Sequence, residues 1–309
     1  MKILIELPTW LGDAVMTTPA IENLVNFTTN PEIVLVGSFV SIEALKNHPK
    51  VIRNHVLDRN YYNLYRSIKS FGEFDLFLTF RGTFRSKFLK FCVSSINKHQ
   101  FDKNKYTTGH QVEKFNNFVN DILKINSSPD KLILHTINKS KNGKKKLLGI
   151  NPGASYGNAK RWYPREFAKV ASDLSNTYDM IIFGSDKEID IAKDIENFLI
   201  EKGVANYQNL AGQTSIMELI TQISFLDLFI TGDSGPMHLA AALQVPSVTI
   251  FGPTNDKETS QWMNAKSKIV KKNLECQPCM KRTCPLKHHN CMRQTEASEV
   301  LHAVKEFKP

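Results

Sequence analysis

The sequence has no apolar run approaching the roughly 18 residues that a membrane span requires, so none of its 309 residues is expected to cross a bilayer. Its opening, MKILIELPTW, begins apolar but is broken by Glu6 and Pro8, which argues against a secretory leader; the expected location is the cytoplasm. G-x-G-x-x-G, G-x-x-x-x-G-K-[ST] and Asp-x-Asp are all missing. Their absence weighs against a dehydrogenase, a P-loop NTPase and a transferase that grips its nucleotide sugar through a metal. Internal repeats and low-complexity tracts are missing too. Cysteine is scarce, five in all, and in a cytoplasmic chain these are not expected to form disulfides. Acidic residues are the minority charge, 30 against 40 Lys and Arg, which leaves +10. Such a surplus is either a solvated lysine-rich surface or an attraction to a polyanion: nucleic acid, phosphorylated glycan or an anionic membrane face.

What is present is alternation. Apolar strand-like runs at 2–7, 33–36, 76–80, 147–151, 180–183, 228–231 and 247–251 are separated by helical patterns, among them 13–25, 164–174, 187–200, 215–224 and 238–243. Uninterrupted apolar strands between helices predict parallel sheets covered on both faces, an α/β protein. The length suits two domains of about 150 residues. The polar segment NKSKNGKKK, 138–146, predicts the linker, giving domains 1–138 and 147–309 with 139–146 between them. Two doubly wound domains facing across a cleft would hold ligands at the carboxyl ends of their strands.

Three corners fall there. In TGDSGPMHLAAALQVPSVTIFGPT, 231–254, Gly232 and Gly235 flank Asp233 and Ser234 between a strand and a small-residue helix. Either this is a βα turn capped by Ser234, or the glycines and the helix N-terminus form a phosphate-binding corner. The second reading fits two glycines and an unassigned acid better. PGASYGNAKRWYP, 152–164, reads either as a surface loop with a basic pair or as the other half of a diphosphate site, with the Ser155 backbone and the cations Lys160 and Arg161. In PTWLGDAVMTTPA, Asp13 follows Gly12 at the start of a helix, where it is either an N-cap or a general base. Arg81, Arg85 and Lys87 follow a strand at another carboxyl edge and suit acceptor phosphates. Cys276, Cys279, Cys284 and Cys291, spaced C-x2-C-x4-C-x6-C around His288 and His289, look zinc-like but match no standard finger; small thiols packing a loop are the preferred reading. Cys92 is expected in the core, and His48, His55 and His110 are expected to be solvated or packed.

Together, WLGD (10–13), NPGASYGNAKRWYP, NLAGQTS (209–215) and GDSGPMHLAAALQVPSVTIFGPT resemble the ADP-heptose:lipopolysaccharide heptosyltransferase family. CQPCMKRTCPLKHHNCMR, 276–293, is most similar to the heptosyltransferase II branch. The resemblance runs in order to about residue 295 and is most specific in the second half. It implies a GT-B fold of two Rossmann-like domains, the first for the acceptor and the second for ADP-heptose. It also implies metal-independent, inverting transfer from ADP-L-glycero-D-manno-heptose to the first heptose of the lipopolysaccharide or lipooligosaccharide inner core. Carried over by motif, Asp13 would be the base and Lys160 would hold the donor phosphates. Gly212, Thr214, Asp233, Ser234, Gly235, Met237 and His238 would line the donor site, beside the Ser155 read from its own corner. Where the family usually has an Asn-Ser pair, this chain has Gly82-Thr83, which leaves the acceptor contacts less defined.

The expected partners are ADP-heptose, a lipid-anchored inner-core acceptor and the cytoplasmic face of the inner membrane, touched peripherally. No cofactor, metal or nucleic acid is expected. The rival readings are transfer of the first or third heptose, another nucleotide-sugar transferase or epimerase of the fold, and a nucleotide- or RNA-binding module. The last is weakened because aromatic and basic residues interleave in only one stretch of note, YYNLYRSIK at 61–69.

Overall fold

The computed structural model describes residues 1–136 and 145–307. The expected linker lies outside them except for residues 145 and 146, and Lys146 opens a strand. The chain divides into two compact units, Met1–Thr136 and Ile137–Pro309.

The first unit runs β1 (Lys2–Glu6), α1 (Leu11–Met16), α2 (Thr18–Asn26), β2 (Glu32–Gly37), α3 (Phe39–Leu45), β3 (Val51–Val56), α4 (Tyr61–Lys69), β4 (Glu73–Thr79), α5 (Phe84–Cys92), β5 (Ser94–Gln100) and α6 (Gln111–Leu123). All five strands are parallel, in the order β3-β2-β1-β4-β5. The order reverses between β1 and β4, the switch point at which doubly wound sheets bind ligands. Central strands such as KILIE and EIVLVG are apolar because both their faces are covered. The edge strands β3 and β5, VIRNHV and SSINKHQ, are largely exposed, so apolar patterning does not reveal them. Leu4, Val34, Val36 and Phe77 pack with Leu64 and Ile68 of α4 and Leu89 of α5.

The single helix expected over 13–25 is two. Pro19 stands in the first turn of α2 and has no amide to bond the carbonyl four residues back. The Thr18 hydroxyl donates to that carbonyl, Val15 O, at 2.8 Å. His48, His55 and His110 all have packed or bonded roles. His110 is the buried N-cap of α6 in a reciprocal box with Glu113, and His55 meets Phe71 edge-on. His48 and His135 each place Nε2 against Glu22 Oε1, at 3.1 and 3.3 Å. The Lys50 amide donates to His48 Nδ1, so the His48 proton sits on Nε2 and points at the carboxylate. The trio is a hydrogen-bonded clamp holding the end of the first unit to α2.

The second unit runs β6 (Lys146–Asn151), α7 (Pro164–Leu174), β7 (Tyr178–Ile182), α8 (Ile189–Glu201), β8 (Tyr207–Asn209), α9 (Ile216–Ser224), β9 (Leu228–Gly232), α10 (Gly235–Ala242), β10 (Ser247–Phe251), α11 (Asp256–Thr259), β11 (Ser267–Lys271), α12 (Asn290–Arg293) and α13 (Ala297–Lys305). Six parallel strands take the order β11-β10-β9-β6-β7-β8, with the reversal between β6 and β9. Its core, which includes Leu148, Ile150, Trp162, Ile182, Ile230 and Ile250, is continuous from β6 to α13. The helix expected at 187–200 is a 3-10 turn, Asp186–Glu188, followed by α8. The one expected at 238–243 starts three residues earlier, at Gly235. Among the described residues no helix is long and apolar enough to cross a membrane.

Candidate active site

In each unit the polar residues gather at the switch point. In the second, β6 ends in Asn151 and β9 in Gly232, and the two turns that follow are tied together. The Asn151 side chain donates to Ser234 Oγ at 3.2 Å and Thr231 Oγ1 at 3.3 Å. Lys160, on a short 3-10 turn after β6, places Nζ 2.5 Å from Asp233 Oδ2 and 4.7 Å from the centre of the Tyr156 ring. Asp233 is 4% exposed and also accepts from Thr254 Oγ1 at 2.5 Å. These two contacts fix the ammonium group at the sheet edge. Both corners singled out in the sequence therefore meet in one place.

Two glycines are required by this geometry. A Cβ on Gly153 would fall 2.0–2.4 Å from the carboxylate of Glu188, which is buried and accepts from the Ser185 amide and hydroxyl. Gly212 has φ +74°, a left-handed conformation natural to glycine, and donates its amide to Gly184 O at 2.9 Å. Gly212 and Thr214 stand beyond the carboxyl end of β8, the outermost strand on the β7 side. Ser155 is exposed on the turn after β6.

The structure corrects one expectation about α10, that the Ser234 side chain caps it. Ser234 holds the N-cap position, but its side chain makes no capping bond; it faces Asn151 and Thr231 instead. Met237 is wholly buried and its amide donates to Ser234 O within the turn. Pro236 has no amide hydrogen, which leaves Ser234 and Gly235 as the amides this turn can present. His238 is likewise buried in the first turn of α10.

The cysteine-rich segment supports the same corner from behind. The Tyr156 hydroxyl donates to Met280 O at 2.8 Å, and Ala159 N donates to Arg282 O at 3.1 Å. His289 Nε2 lies 3.0 Å from Ala159 O, and the Tyr163 hydroxyl lies 3.2 Å from its Nδ1. Cys276, Cys279, Cys284 and Cys291 are free thiols around one small cavity with His288 and His289. Burial, and then its neighbours Cys279, Cys284 and Cys276, push the Cys291 thiol up to about 11. Cys92, as expected, is buried.

In the first unit the switch point carries a group that sequence reasoning missed. Glu6, at the end of β1, is fully buried. It accepts from Thr79 Oγ1 at 2.6 Å, Arg81 Nη1 at 3.1 Å and Ser86 Oγ at 3.1 Å. Burial raises its pKa above the ordinary value, opposed by the Thr79 hydroxyl and the Arg81 charge. An acid closing an apolar strand is the signal that could have found it. Arg81 is thereby held inward by Glu6. Arg85 is bound to the carbonyls of Asp58 and Arg59. Of the three acceptor candidates, only Lys87 projects into solvent.

Asp13 is not the N-cap. Trp10 holds that position, and Asp13 is the third residue of α1, half-buried. The turn before it is pinned by Ser41 Oγ on Pro8 O at 2.5 Å and Ser38 Oγ on Thr9 O at 2.8 Å. Asn151 and Thr254 were also invisible to sequence reasoning, since each is an ordinary polar residue whose partner lies far along the chain; Glu188 bonds locally to Ser185 and gains its place at the site only by packing against Gly153.

Residues 126–290 match the sequence profile of Glycosyltransferase family 9 (heptosyltransferase). The chain is 42% identical to lipooligosaccharide heptosyltransferase 2 of Campylobacter jejuni subsp. jejuni serotype O:2, over 99% of this chain and 98% of that one. Among solved structures, Escherichia coli ADP-heptose lipopolysaccharide heptosyltransferase II superposes with a TM-score of 0.82 at 21% identity, covering 99% and 98% of the two chains. Escherichia coli heptosyltransferase WaaC, solved with ADP, gives 0.79 at 16% identity, with 99% of each chain covered. The two parallel-sheet domains are thus those of a GT-B glycosyltransferase, and the chain belongs to glycosyltransferase family 9, the heptosyltransferases.

Proposed function

We propose that this transferase moves heptose from ADP-L-glycero-D-manno-heptose to the first heptose of the lipopolysaccharide or lipooligosaccharide inner core, with inversion and without a metal. The full-length similarity to a heptosyltransferase 2 supports the choice of second heptose. The observation that carries the chemistry is the Lys160–Asp233 pair at the switch point of β6 and β9. It is a fixed cation between two turns, at the place where a doubly wound sheet receives a nucleotide.

In this reading the second domain binds the donor and the first the acceptor. The acceptor hydroxyl oxygen attacks the anomeric carbon as the bond to the ADP oxygen breaks, and Asp13 takes the hydroxyl proton. Charge grows on the departing diphosphate. Lys160 and the amides of Ser234 and Gly235 stabilise that charge without reorganising, which lowers the barrier rather than only tightening binding. Gly212 and Thr214 lie toward the nucleoside, and Ser155 and His238 toward the diphosphate and sugar. On the acceptor side, Lys87 meets anionic groups while Glu6 positions Arg81. The acceptor is lipid-anchored, so the protein works against the cytoplasmic face of the inner membrane.

The test is purified protein with ADP-heptose and inner-core acceptor from cells truncated after the first heptose. ADP release and gain of one heptose by mass spectrometry are expected. Transfer to acceptor lacking all heptose instead would assign the first-heptose reaction.

A further inference from the structure

Helix α5 is built the wrong way round for a surface helix. Ser86, Leu89 and Cys92 face the core, yet the opposite, solvent side carries Phe84 and Phe91, which are 79% and 84% exposed. A helix places residues seven apart on one face, so the two rings form a single outward stripe with Lys87 between them. Strand β5 extends it. Lys98 pairs in register with Phe77, whose ring packs beneath α4 and α5, and residues two apart share a face. Ile96, 80% exposed, therefore lies on the same side of the sheet at its edge. Helix α4 packs against α5 through the edge-on rings of Tyr61 and Phe88 and exposes Tyr62 and Tyr65.

The charges on these elements have one sign. YYNLYRSIK, FRSKFLKFC and SSINKHQ carry Arg66, Lys69, Arg85, Lys87, Lys90 and Lys98 and no Asp or Glu. Asp58 beside Arg85 and Asp102 beside Lys87 and Lys90 border this face, and the cations outnumber them. Large aromatics among a surplus of cations suit the boundary of an anionic bilayer, where rings enter the headgroup layer and ammonium groups meet lipid phosphates. A second copy of this chain fits poorly, since two such faces would bring like charges together. We propose that the outward face of α5, with Ile96 of β5 and the tyrosines of α4, is the surface by which the protein lies on an anionic membrane. The inference rests on the reading that the acceptor is membrane-borne, and it turns the interleaved segment at 61–69 from a weak nucleic-acid signal into part of a lipid-facing surface.

The test is co-sedimentation of the full-length protein with vesicles of phosphatidylethanolamine and phosphatidylglycerol, and with vesicles of phosphatidylcholine alone. Binding to the anionic vesicles is expected, falling as salt rises from about 0.05 to about 0.5 M. Phe84→Ser/Phe91→Ser should weaken that binding roughly tenfold or more, because two rings no longer leave water. The same variant should keep wild-type thermal stability, ADP binding and turnover on a delipidated, water-soluble acceptor. Equal vesicle binding by variant and wild type, or no binding by the wild type, overturns the surface. So does a concentration-dependent wild-type dimer that the variant abolishes in sedimentation velocity. Lack of turnover on the soluble acceptor by the wild type would instead overturn the heptosyltransferase reading, and the vesicle result would stand by itself.

Discussion

Lys160 and Asp233 constrain each other's mutants. Removing Lys160 alone leaves a carboxylate that is 4% exposed and bonded to the Thr254 hydroxyl. Breaking a buried pair from one side costs about 3–5 kcal/mol. Lys160→Ala is therefore expected to lower the melting temperature as well as to weaken ADP binding by about 10–150-fold, the worth of one charge-assisted contact. Lys160→Met/Asp233→Asn separates the two effects. Stability should return toward wild type because no lone charge is buried, while ADP affinity stays low. Recovery of ADP affinity in the double variant, read by calorimetry, would show that Lys160 only neutralises Asp233. Two carboxylates of the first domain make a second residue-scale test, because they shift in opposite directions. Burial raises the Glu6 pKa from 4.5, so ionised Glu6 is worse placed in the folded protein than in the unfolded chain. Its contribution to stability is fullest below 4.5 and is lost as pH rises through the raised value. Hydrogen bonds from His48, and then His135, hold Glu22 below 4.5 against the effect of burial; its contribution is present above 4.5 and is lost as pH falls through the lowered value. Melting curves from about pH 3 to about pH 8 should thus lose part of their acid-side slope in Glu22→Gln and part of their slope above 4.5 in Glu6→Gln. Identical slopes in wild type and both variants would show that neither carboxylate couples to folding.

At the scale of elements, α1 carries the most direct test of the chemistry. Asp13 sits in its first turn and does not cap it, so Asp13→Asn takes a negative charge from the positive end of the helix, an effect worth about 0.3–1 kcal/mol. If the carboxylate is the base, kcat should fall about 10²–10⁴-fold with donor affinity nearly unchanged. Near-normal turnover at saturating substrates would move the base elsewhere. The sequence made the core strands and the two glycine-containing corners of the second unit legible because buried parallel strands are apolar runs and glycine-rich turns at their ends stand out. Strands β3 and β5 were hidden because edge strands need no apolar run. The split between α1 and α2 was hidden because TTPA reads as helix until the missing Pro19 amide is counted. Glu6, Asn151 and Thr254 were hidden for a different reason: each owes its role to a partner more than 20 residues away, and spacing along one chain holds no record of that. Arg81 and Arg85 show the converse, since cations placed correctly at a strand end turned out to hold their own domain together.

At the scale of the molecule, the second domain holds every group assigned to the donor. Its six strands lie within residues 146–271, and its core runs from Leu148 to Ala303 without any residue of the first unit. Lys160, Asp233, Thr254, Asn151 and the cysteine-rich segment behind them are all inside it. A domain with its own core and its own sheet is expected to fold alone, and the +10 chain gives no reason for the acceptor half to be needed for nucleotide. Residues 145–309, expressed separately, should therefore melt cooperatively and bind ADP within about tenfold of the full-length affinity, a difference of about 1.4 kcal/mol. They should not transfer heptose, since Asp13 is missing. Circular dichroism first establishes that the fragment is folded, and calorimetry then reads ADP. A folded fragment that fails to bind ADP would mean that the first domain supplies part of the donor site. In that case the division of labour between the two sheets, and with it the assignment of Lys160 as the principal diphosphate contact, would have to be withdrawn.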